Sequence, residues 1–312
     1  MNLQFLENKK VLIVGATGVV GYNLCKTIHE NSNCQIHVNF KSQIPKMFEL
    51  LFSHFIKYQF DLEDYEKIDS LPKFDYIFFC SGYGQPKKFT IDNSKTFNIN
   101  TSSVFRLLNK TEENGKFIFI SSSEIYADGD GNSENSKITL DLDSPRSGYI
   151  TSKIFGELIC KNFKSKIECK NIRLCLCYGE GFKNNDERVL SEFIFKAVDT
   201  GSIQLMDDGS DSRSYIYAED CINGILNIAE LGQHDTYNIG GEDIITIKHL
   251  AEKISEITDS NVILGSINNK LSGSPSKACV DISRYEKEFG KLNKTNFTEG
   301  LRRCVEWYKN YE

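Results

Sequence analysis

Tyr149 and Lys153 lie four residues apart, and this spacing indicates chemistry more directly than any other in the chain. Residues four apart in a helix project from one face, so the phenol and the ammonium group would enter the same cleft. An ammonium group lowers the pKa of a nearby phenol, and the resulting tyrosinate can accept a proton from an alcohol. Because the chain has 14 tyrosines, the pair needs support from its surroundings.

That support is a serine cluster at 121–123, which follows an apolar run and leads into Glu124. A hydroxyl group at the end of a strand can hydrogen-bond to a reacting oxygen, and a nearby carboxylate can transfer a second proton. Taken alone, the cluster is better explained as a serine-rich turn or helix cap. Together with Tyr149 and Lys153 it favours a catalytic site that contains Ser122 and Glu124.

Three glycines, Gly15, Gly18 and Gly21, separate an apolar run from a helical pattern. Such glycines allow a tight turn, let the backbone approach a pyrophosphate and bring helix against strand, while the start of the helix offers N–H donors. A plain tight turn is the alternative explanation. In this strand-turn-helix context the segment predicts a dinucleotide-binding loop, with Thr17 and Val19 as further contacts.

The predicted second strand, 35–40, ends without the Asp or Glu that commonly binds the ribose of NAD. Lys41 or Ser42 would meet the 2′-phosphate of NADP, although a solvated lysine explains Lys41 equally well. Asp61 is a predicted acceptor for the adenine amino group, and a helix N-cap is its alternative role. These residues leave NAD and NADP both open.

Alternating strand and helix patterns place these motifs at strand ends. Apolar runs predict strands at 10–14, 35–40, 76–80, 116–120 and 171–177, and helical spacing predicts helices at 19–30, 152–164, 218–231 and 298–308. The alternation predicts an α/β fold with a doubly wound parallel sheet. We predict a dinucleotide-binding domain at 1–177 and a smaller α/β substrate-binding cap at 178–312, some of whose segments return to the first domain.

Composition excludes several other classes of protein. A net charge of -6 argues against a surface for nucleic acid or an anionic membrane. The N-terminus has no signal-peptide pattern, and no segment approaches the ~20 apolar residues of a membrane span, which predicts a cytoplasmic protein. The ten cysteines and five histidines lack metal-ligand spacing, so we predict buried thiols and no metal site.

The order of glycine loop, serine cluster and Tyr-x-x-x-Lys resembles the extended short-chain dehydrogenase/reductase family of NAD-dependent nucleotide-sugar epimerases, dehydratases and decarboxylases, over nearly the whole chain. The loop Ser-Ser-Ser-Glu-Ile-Tyr at 121–126 is more similar to the Ser-Thr-Ser-Glu-Val-Tyr loop of UDP-glucuronate decarboxylases and GDP-mannose dehydratases than to that of simple epimerases. Segments 145–149 and 185–194 also resemble the decarboxylases. The resemblance implies that Ser122 takes the catalytic hydroxyl position and Glu124 that of an extra base.

A nucleotide-diphosphate sugar is the substrate that the resemblance implies. In such enzymes the arginine of a Gly-Ser-x-x-Arg segment binds the diphosphate, and Arg213 occupies that position here. A guanidinium group can pair with two phosphate oxygens at once, and a salt bridge to Asp207 or Asp211 is the alternative role of Arg213. Arg188 is a second candidate for the diphosphate, and Ser123 is a further substrate contact.

The chain also departs from the family pattern. Leu176 stands where relatives carry an asparagine, Glu180 follows Tyr-Gly in place of proline, and Ala127 replaces a glycine. Ser123 stands where dTDP-glucose dehydratases have the aspartate that protonates the leaving hydroxyl. Loss of water at C6 is therefore less favoured than decarboxylation or epimerisation.

The resemblance thus implies oxidation of the sugar at C4 by Tyr149, Lys153 and Ser122, followed by decarboxylation as in UDP-glucuronate decarboxylases. It also implies a role in nucleotide-sugar metabolism and polysaccharide biosynthesis. A 4-epimerase, a 4,6-dehydratase or a 4-keto reductase is an alternative, and a non-catalytic sensor or scaffold is the alternative of another class. NAD is favoured by the family, and NADP stays open. Apolar positions at 93–109 and 152–162 predict a homodimer through a four-helix bundle.

Overall fold

The computed structural model describes residues 2–82, 84, 91–127, 129, 131–241, 244–265, 277–292 and 294–310. Its strands are β1 (Lys10–Val14), β2 (Gln35–Phe40), β3 (Ile56–Gln59), β4 (Phe74–Phe79), β5 (Thr111–Ser122), β6 (Glu168–Leu174), β7 (Leu176–Tyr178), β8 (Ser202–Gln204), β9 (Ser212–Tyr217), β10 (Thr236–Ile239), β11 (Ile244–Thr246), β12 (Asn261–Ile263) and β13 (Lys277–Ala278).

The α-helices are α1 (Val19–Asn31), α2 (Glu49–Phe52), α3 (Tyr65–Ser70), α4 (Asn93–Asn100), α5 (Ser102–Leu108), α6 (Ser147–Phe163), α7 (Val189–Thr200), α8 (Ala218–Leu231), α9 (Ile247–Thr258), α10 (Ser283–Phe289) and α11 (Phe297–Lys309). Short 3₁₀ helices cover Gln4–Leu6, Lys46–Phe48 and Ser123–Tyr126. The last of these contains the end of the serine cluster.

A parallel sheet of seven described strands lies at the centre, in the order β10-β6-β5-β4-β1-β2-β3. Each neighbouring pair runs parallel. The order reverses between β1 and β4, where the connections leave in opposite directions and open a crevice at the carboxyl ends of the strands. The prediction of a doubly wound parallel sheet is confirmed.

The apolar runs of the central strands explain this sheet. Alternate side chains of a strand point to opposite faces, and helices cover both faces of a parallel sheet. Ile13 and Phe78 belong to the core on one face, whereas Leu12, Phe79 and Phe117 belong to the core on the other. Packing on both faces fixes the strand ends from which the candidate site residues project.

Two features of the strands differ from the sequence prediction. The strand expected at 171–177 divides at Cys175, whose backbone N–H donates to the Ile239 carbonyl oxygen at 2.9 Å. After this residue the chain leaves the large sheet, and β7 pairs with β9 instead. β3 was not predicted because it is an edge strand whose side chains are mostly exposed, so it lacks an apolar run.

The second half of the chain contributes to more than one sheet. β9 pairs with β7, β11 and β13, and β8 pairs with β12. β10 lies in the large sheet beside β6, and α8 packs against α1. The predicted boundary at residue 177 therefore falls within β7.

Among the described residues, no helix is long and apolar enough to cross a membrane. All ten cysteines lie in the described ranges, and none of them forms a disulfide there. Most are buried, as expected of thiols that pack as small apolar side chains.

Candidate active site

The glycine loop joins β1 to α1 at the carboxyl edge of the large sheet. Gly15 has a φ of +78°, and a Cβ atom on Gly21 would lie 2.4 Å from the Gly15 carbonyl oxygen. These two glycines are therefore required by the turn and by the packing of the helix on it. A Cβ atom on Gly18 would lie 3.6 Å from the same oxygen, so the packing of the turn does not require glycine here. The missing side chain instead leaves space in front of the loop, where a pyrophosphate would bind. The loop and the N-terminus of this 13-residue helix fit a pyrophosphate.

Tyr149 and Ser122 meet where α6 begins and β5 ends. The Ser122 hydroxyl group acts on the Tyr149 phenol, whose pKa it lowers, and it accepts the Glu124 backbone N–H at 3.2 Å. Tyr149 is only 7% exposed, and a Cβ atom on Gly84 would lie 3.4 Å from its hydroxyl oxygen. A glycine thus keeps the space in front of the phenol open, as a site for a reacting alcohol requires.

Lys153 lies one turn further along α6 and is 3% exposed. Its ammonium group donates to the Ile120 carbonyl oxygen at 2.8 Å, and a Cβ atom on Gly82 would lie 2.5 Å from the nitrogen. Burial lowers the pKa of Lys153 to about 7, while Cys80 and Glu157 act in the opposite direction. The lysine is therefore held by the backbone in a site of low polarity.

The pKa of Tyr149 differs from what its spacing from Lys153 predicts. Burial and the charge of Glu124 raise the pKa of Tyr149, and these effects outweigh Ser122 and Arg146, which lower it. The ammonium group lies 6.0 Å from the centre of the Tyr149 ring. The expectation that Lys153 lowers the pKa of this phenol does not hold here, because burial dominates.

Glu124 pairs with Arg146, a residue that the sequence prediction missed. Glu124 Oε1 lies 2.5 Å from Arg146 Nη1, and the two side chains are 20% and 12% exposed. Glu124 Oε2 is buried and has no hydrogen-bond partner among the described residues. The carboxylate is therefore anchored to Arg146 through one oxygen, and its other oxygen has no described partner. Arg146 belongs to the segment 145–149 that resembles the decarboxylases, and this resemblance is the signal that could have identified it.

A buried polar network lies beneath this site and links β5 to α6. Ser121 Oγ donates to Glu157 Oε1 at 2.6 Å, and Arg173 Nη2 lies 2.8 Å from Glu157 Oε2. Arg173 also donates to the Tyr126 hydroxyl group at 2.8 Å, and that group donates to Asn238 Oδ1 at 2.9 Å. Ser121, Arg173 and Asn238 are register partners on three adjacent strands. The network fixes α6 against the loop that carries Ser122.

Asn100 is a second residue that the sequence prediction missed. Its side-chain nitrogen donates to Ser152 Oγ at 3.0 Å and to the Gly82 carbonyl oxygen at 3.3 Å. Its Oδ1 atom is buried without a hydrogen-bond partner among the described residues. Asn100 thus ties α4 to α6 beside Lys153, and nothing in its local sequence distinguishes it from other helical asparagines.

At the other end of the crevice, the residues predicted for the adenosine follow the carboxyl ends of β2 and β3. Asp61 lies 2.8 Å from Lys41 Nζ and 2.8 Å from Lys95 Nζ. Burial raises the pKa of Asp61, but hydrogen bonds from these two lysines outweigh it and lower the pKa to about 2. Asp61 does not cap α3, because the N-cap of that helix is Asp64.

The predicted substrate contacts lie in different elements. Arg213 is on β9, where Nη1 donates to the Ser212 carbonyl oxygen at 2.8 Å and Nη2 lies 3.6 Å from Asp211. Arg188 precedes α7 and hydrogen-bonds to Asp186 Oδ1 at 2.9 Å. Ser123 is half-buried at the start of the 3₁₀ helix that contains Glu124. The structure brings Ser123 next to Ser122 and Glu124, and it places both arginines beside acidic residues in the second half of the chain.

The chain is similar to known proteins in sequence and in fold. UDP-glucuronic acid decarboxylase 1 of Danio rerio is 23% identical over 310 residues, which cover 97% of this chain and 73% of that protein. The structure of UDP-glucose 4-epimerase from Thermotoga maritima, solved with UDP-glucose, matches with a TM-score of 0.85 at 22% identity, over 96% of this chain and 98% of that chain. UDP-glucuronic acid 4-epimerase from Bacillus cereus, in complex with UDP-glucuronic acid and NAD, matches with a TM-score of 0.80 at 20% identity, over 97% and 100% of the two chains.

The matching structures establish the fold, and a family model establishes the relationship. The model of the NAD-dependent epimerase/dehydratase family matches residues 11–240. This range contains the glycine loop, the serine cluster, Tyr149 and Lys153. The chain therefore belongs to the NAD-dependent epimerase/dehydratase family.

Proposed function

We propose that this protein uses NAD or NADP to oxidise a nucleotide-linked sugar at C4 and then decarboxylates the 4-keto sugar, as a UDP-glucuronate decarboxylase does. The observation that carries the proposal is the proximity of Tyr149, Ser122 and Glu124, with one buried carboxylate oxygen of Glu124 unpaired among the described residues. A proton acceptor for an alcohol and a second acid-base group are thus present together.

In the first step, Tyr149 takes the proton of the C4 hydroxyl group while Ser122 hydrogen-bonds to the same oxygen. The bound cofactor supplies the hydride acceptor and, in its oxidised form, a positive charge. Burial raises the pKa of Tyr149, so added positive charge favours the phenolate that this step needs. Lys153, held by the Ile120 carbonyl, fixes the position of the pair.

In the second step, the 4-ketone makes a C6 carboxylate a β-keto acid. The C5–C6 bond breaks, carbon dioxide leaves, and the electron pair passes into the enolate of the ketone. Glu124 is the proposed acid-base residue for the proton that C5 then gains. Tyr149 then gives its proton back to the C4 oxygen, and the bound cofactor would return the hydride to C4, so that the cycle would close without net consumption of the cofactor.

For the substrate, we propose that the elements of the second half of the chain bind the nucleotide diphosphate. Arg213 and Arg188 are the proposed diphosphate ligands, and Ser123 is a proposed contact to the sugar. A guanidinium group that is paired with an aspartate can exchange that partner for a phosphate of higher charge.

We also propose a cytoplasmic homodimer that serves polysaccharide biosynthesis. Phe97, Phe105, Phe155 and Leu158 are 37%, 51%, 47% and 47% exposed on α4, α5 and α6. The rings of Phe97 and Phe155 lie 5.7 Å apart, so these side chains form one apolar face. A four-helix bundle with a second copy would cover this face. Ten cysteines without a disulfide support a reducing compartment.

The test is mass spectrometry of products after incubation with a panel of nucleotide sugars that includes UDP-glucuronate, with NAD and NADP supplied separately. Loss of carbon dioxide from UDP-glucuronate is the expected result. E124Q should retain cofactor binding and lose turnover, by about 10²- to 10⁴-fold if Glu124 transfers a proton. Unchanged turnover of E124Q would remove Glu124 from the mechanism. Cofactor binding without a change in any sugar, checked also by NMR for epimers of equal mass, would favour a non-catalytic role.

A further inference from the structure

The carboxyl end of β2 lacks an acidic side chain that could bind a free ribose 2′-hydroxyl group. Asn39 Nδ2 donates instead to the carbonyl oxygens of Tyr58 and Phe60, both at 3.3 Å. Phe40, the last residue of the strand, is 4% exposed and packs in the core. The side chains of Asn39 and Phe40 therefore stabilise the sheet, and neither offers a carboxylate for a ribose 2′-hydroxyl group.

Lys183 brings a cation to the same place from the second half of the chain. Its Nζ atom donates to Thr17 Oγ1 at 3.0 Å and to Ser42 Oγ at 3.1 Å. Thr17 belongs to the glycine loop, and Ser42 lies just beyond β2. In a dinucleotide-binding fold the adenosine ribose lies between these two segments. The ammonium group thus lies where the ribose and its 2′ substituent enter.

The nearby charges favour an anion at this position. Asp61 lies on this edge and is itself paired, because Lys41 and Lys95 each lie 2.8 Å from one of its oxygens. These ion pairs offset the repulsion that a lone carboxylate would exert on a phosphate. Hydroxyl groups such as Ser42 and Thr17 can accept from the lysine or donate to an incoming oxygen.

We propose that Lys183, with Ser42 and Thr17, forms a site for the phosphate on the 2′ oxygen of the adenosine ribose, so that the protein binds NADP at least as tightly as NAD. The proposal deepens the cofactor part of the proposed function and rests on the dinucleotide site described there. The pyrophosphate of either cofactor is a second source of phosphate oxygens near Thr17. The two sources differ in one respect: only the first makes Lys183 selective between NADP and NAD.

Calorimetric titration at fixed ionic strength tests the proposal without any sugar or turnover. The unmodified protein should bind NADP with a dissociation constant no higher than that for NAD. K183M should weaken NADP binding by about tenfold to a hundredfold, as expected when a hydrogen bond to a charged group is lost, and should leave NAD binding within about threefold. K46M is the matched control, because Lys46 is an exposed cation shortly after β2, and it should change neither constant.

Three outcomes would overturn the proposal: tighter binding of NAD than of NADP by the unmodified protein, unchanged NADP binding by K183M, or equal weakening of both cofactors, which would assign Lys183 to the pyrophosphate. If K183M does not fold, the unmodified protein still gives the answer. Adenosine 2′,5′-bisphosphate should then bind more tightly than AMP, and equal affinities would contradict the site. Because these readouts need no sugar, their failure is distinct from the absence of decarboxylation.

Discussion

The two ends of the cofactor crevice are built from different interactions. At the reaction end, Tyr149 and Lys153 are 7% and 3% exposed, and a main-chain carbonyl oxygen holds the lysine at 2.8 Å. At the adenosine end, Lys41 and Asp61 form an ion pair whose side chains are 64% and 28% exposed. One end is buried and fixed by the sheet, and the other is solvated and held by pairs of surface charges.

This difference indicates which residues of the crevice can be substituted without loss of stability. Charges interact strongly in a buried site and weakly in water, so a small change at the reaction end alters the pKa of a neighbour. Exposed ion pairs contribute little to stability, and residues at the adenosine end are therefore free to change with the cofactor. We infer that the chemistry is fixed by the β5–α6 junction and that cofactor selection is adjustable.

The largest expected effect is at the reaction end. Y149F removes the proposed proton acceptor, so turnover should fall by about 10²- to 10⁴-fold, while cofactor binding measured by calorimetry stays within about threefold. Y76F is the control, because Tyr76 is a half-buried tyrosine of β4, and its turnover should stay close to that of the parent. Y149F turnover above a tenth of the parent value would exclude Tyr149 as the proton acceptor.

The next largest effect is the difference in the free energy of unfolding between loss of a buried ion pair and loss of an exposed one. R173M leaves Glu157 buried without its guanidinium partner, which should lower the free energy of unfolding by about 3–5 kcal/mol. R303M removes a 41%-exposed side chain that pairs with Glu219 and Glu299, and it should cost less than about 1 kcal/mol. Urea denaturation measures both. Equal losses in the two variants would show that the contrast between the buried and exposed regions has no energetic basis.

Local periodicity explains which elements could be predicted from the sequence. The strand before the glycine loop and α8 have the predicted bounds, because each carries its own apolar pattern. α6 begins at Ser147, before the predicted start, because Ser147 and Gly148 are weak helix formers and gave no signal that the helix begins there. β3 was missed because an exposed edge strand needs few apolar residues.

Contacts between distant segments explain what was missed in the site. Arg146 pairs with Glu124, which is 22 residues earlier in the chain, and Lys183 reaches Thr17 from the other half of the chain. A sequence pattern records the spacing of residues within one element and contains no information on such partners. The same reason explains why the raised pKa of Tyr149 was not predicted. The pKa depends on burial, which is set by the whole fold and not by the spacing of Tyr149 and Lys153 along the helix.

The smallest expected effect is a change in the pH dependence of stability caused by Lys153. Burial lowers its pKa to about 7 in the folded protein, against 10.5 for an ordinary lysine. Between these values the unfolded chain binds a proton here that the folded protein does not bind, so Lys153 makes the free energy of unfolding rise with pH.

One proton corresponds to a slope of about 1.4 kcal/mol per pH unit at most. K153M should therefore lose a positive slope of this size when urea denaturation is compared between pH 7.5 and 9.5. Buried thiols with raised pKa, such as Cys25 and Cys304, act with the opposite sign, but they are present in both proteins and cancel in the difference. K161M removes an exposed ammonium group from the same helix and should keep the parent slope. Identical slopes in the parent and K153M would show that Lys153 keeps its proton on folding, and the reaction end would then be less dry than its burial indicates.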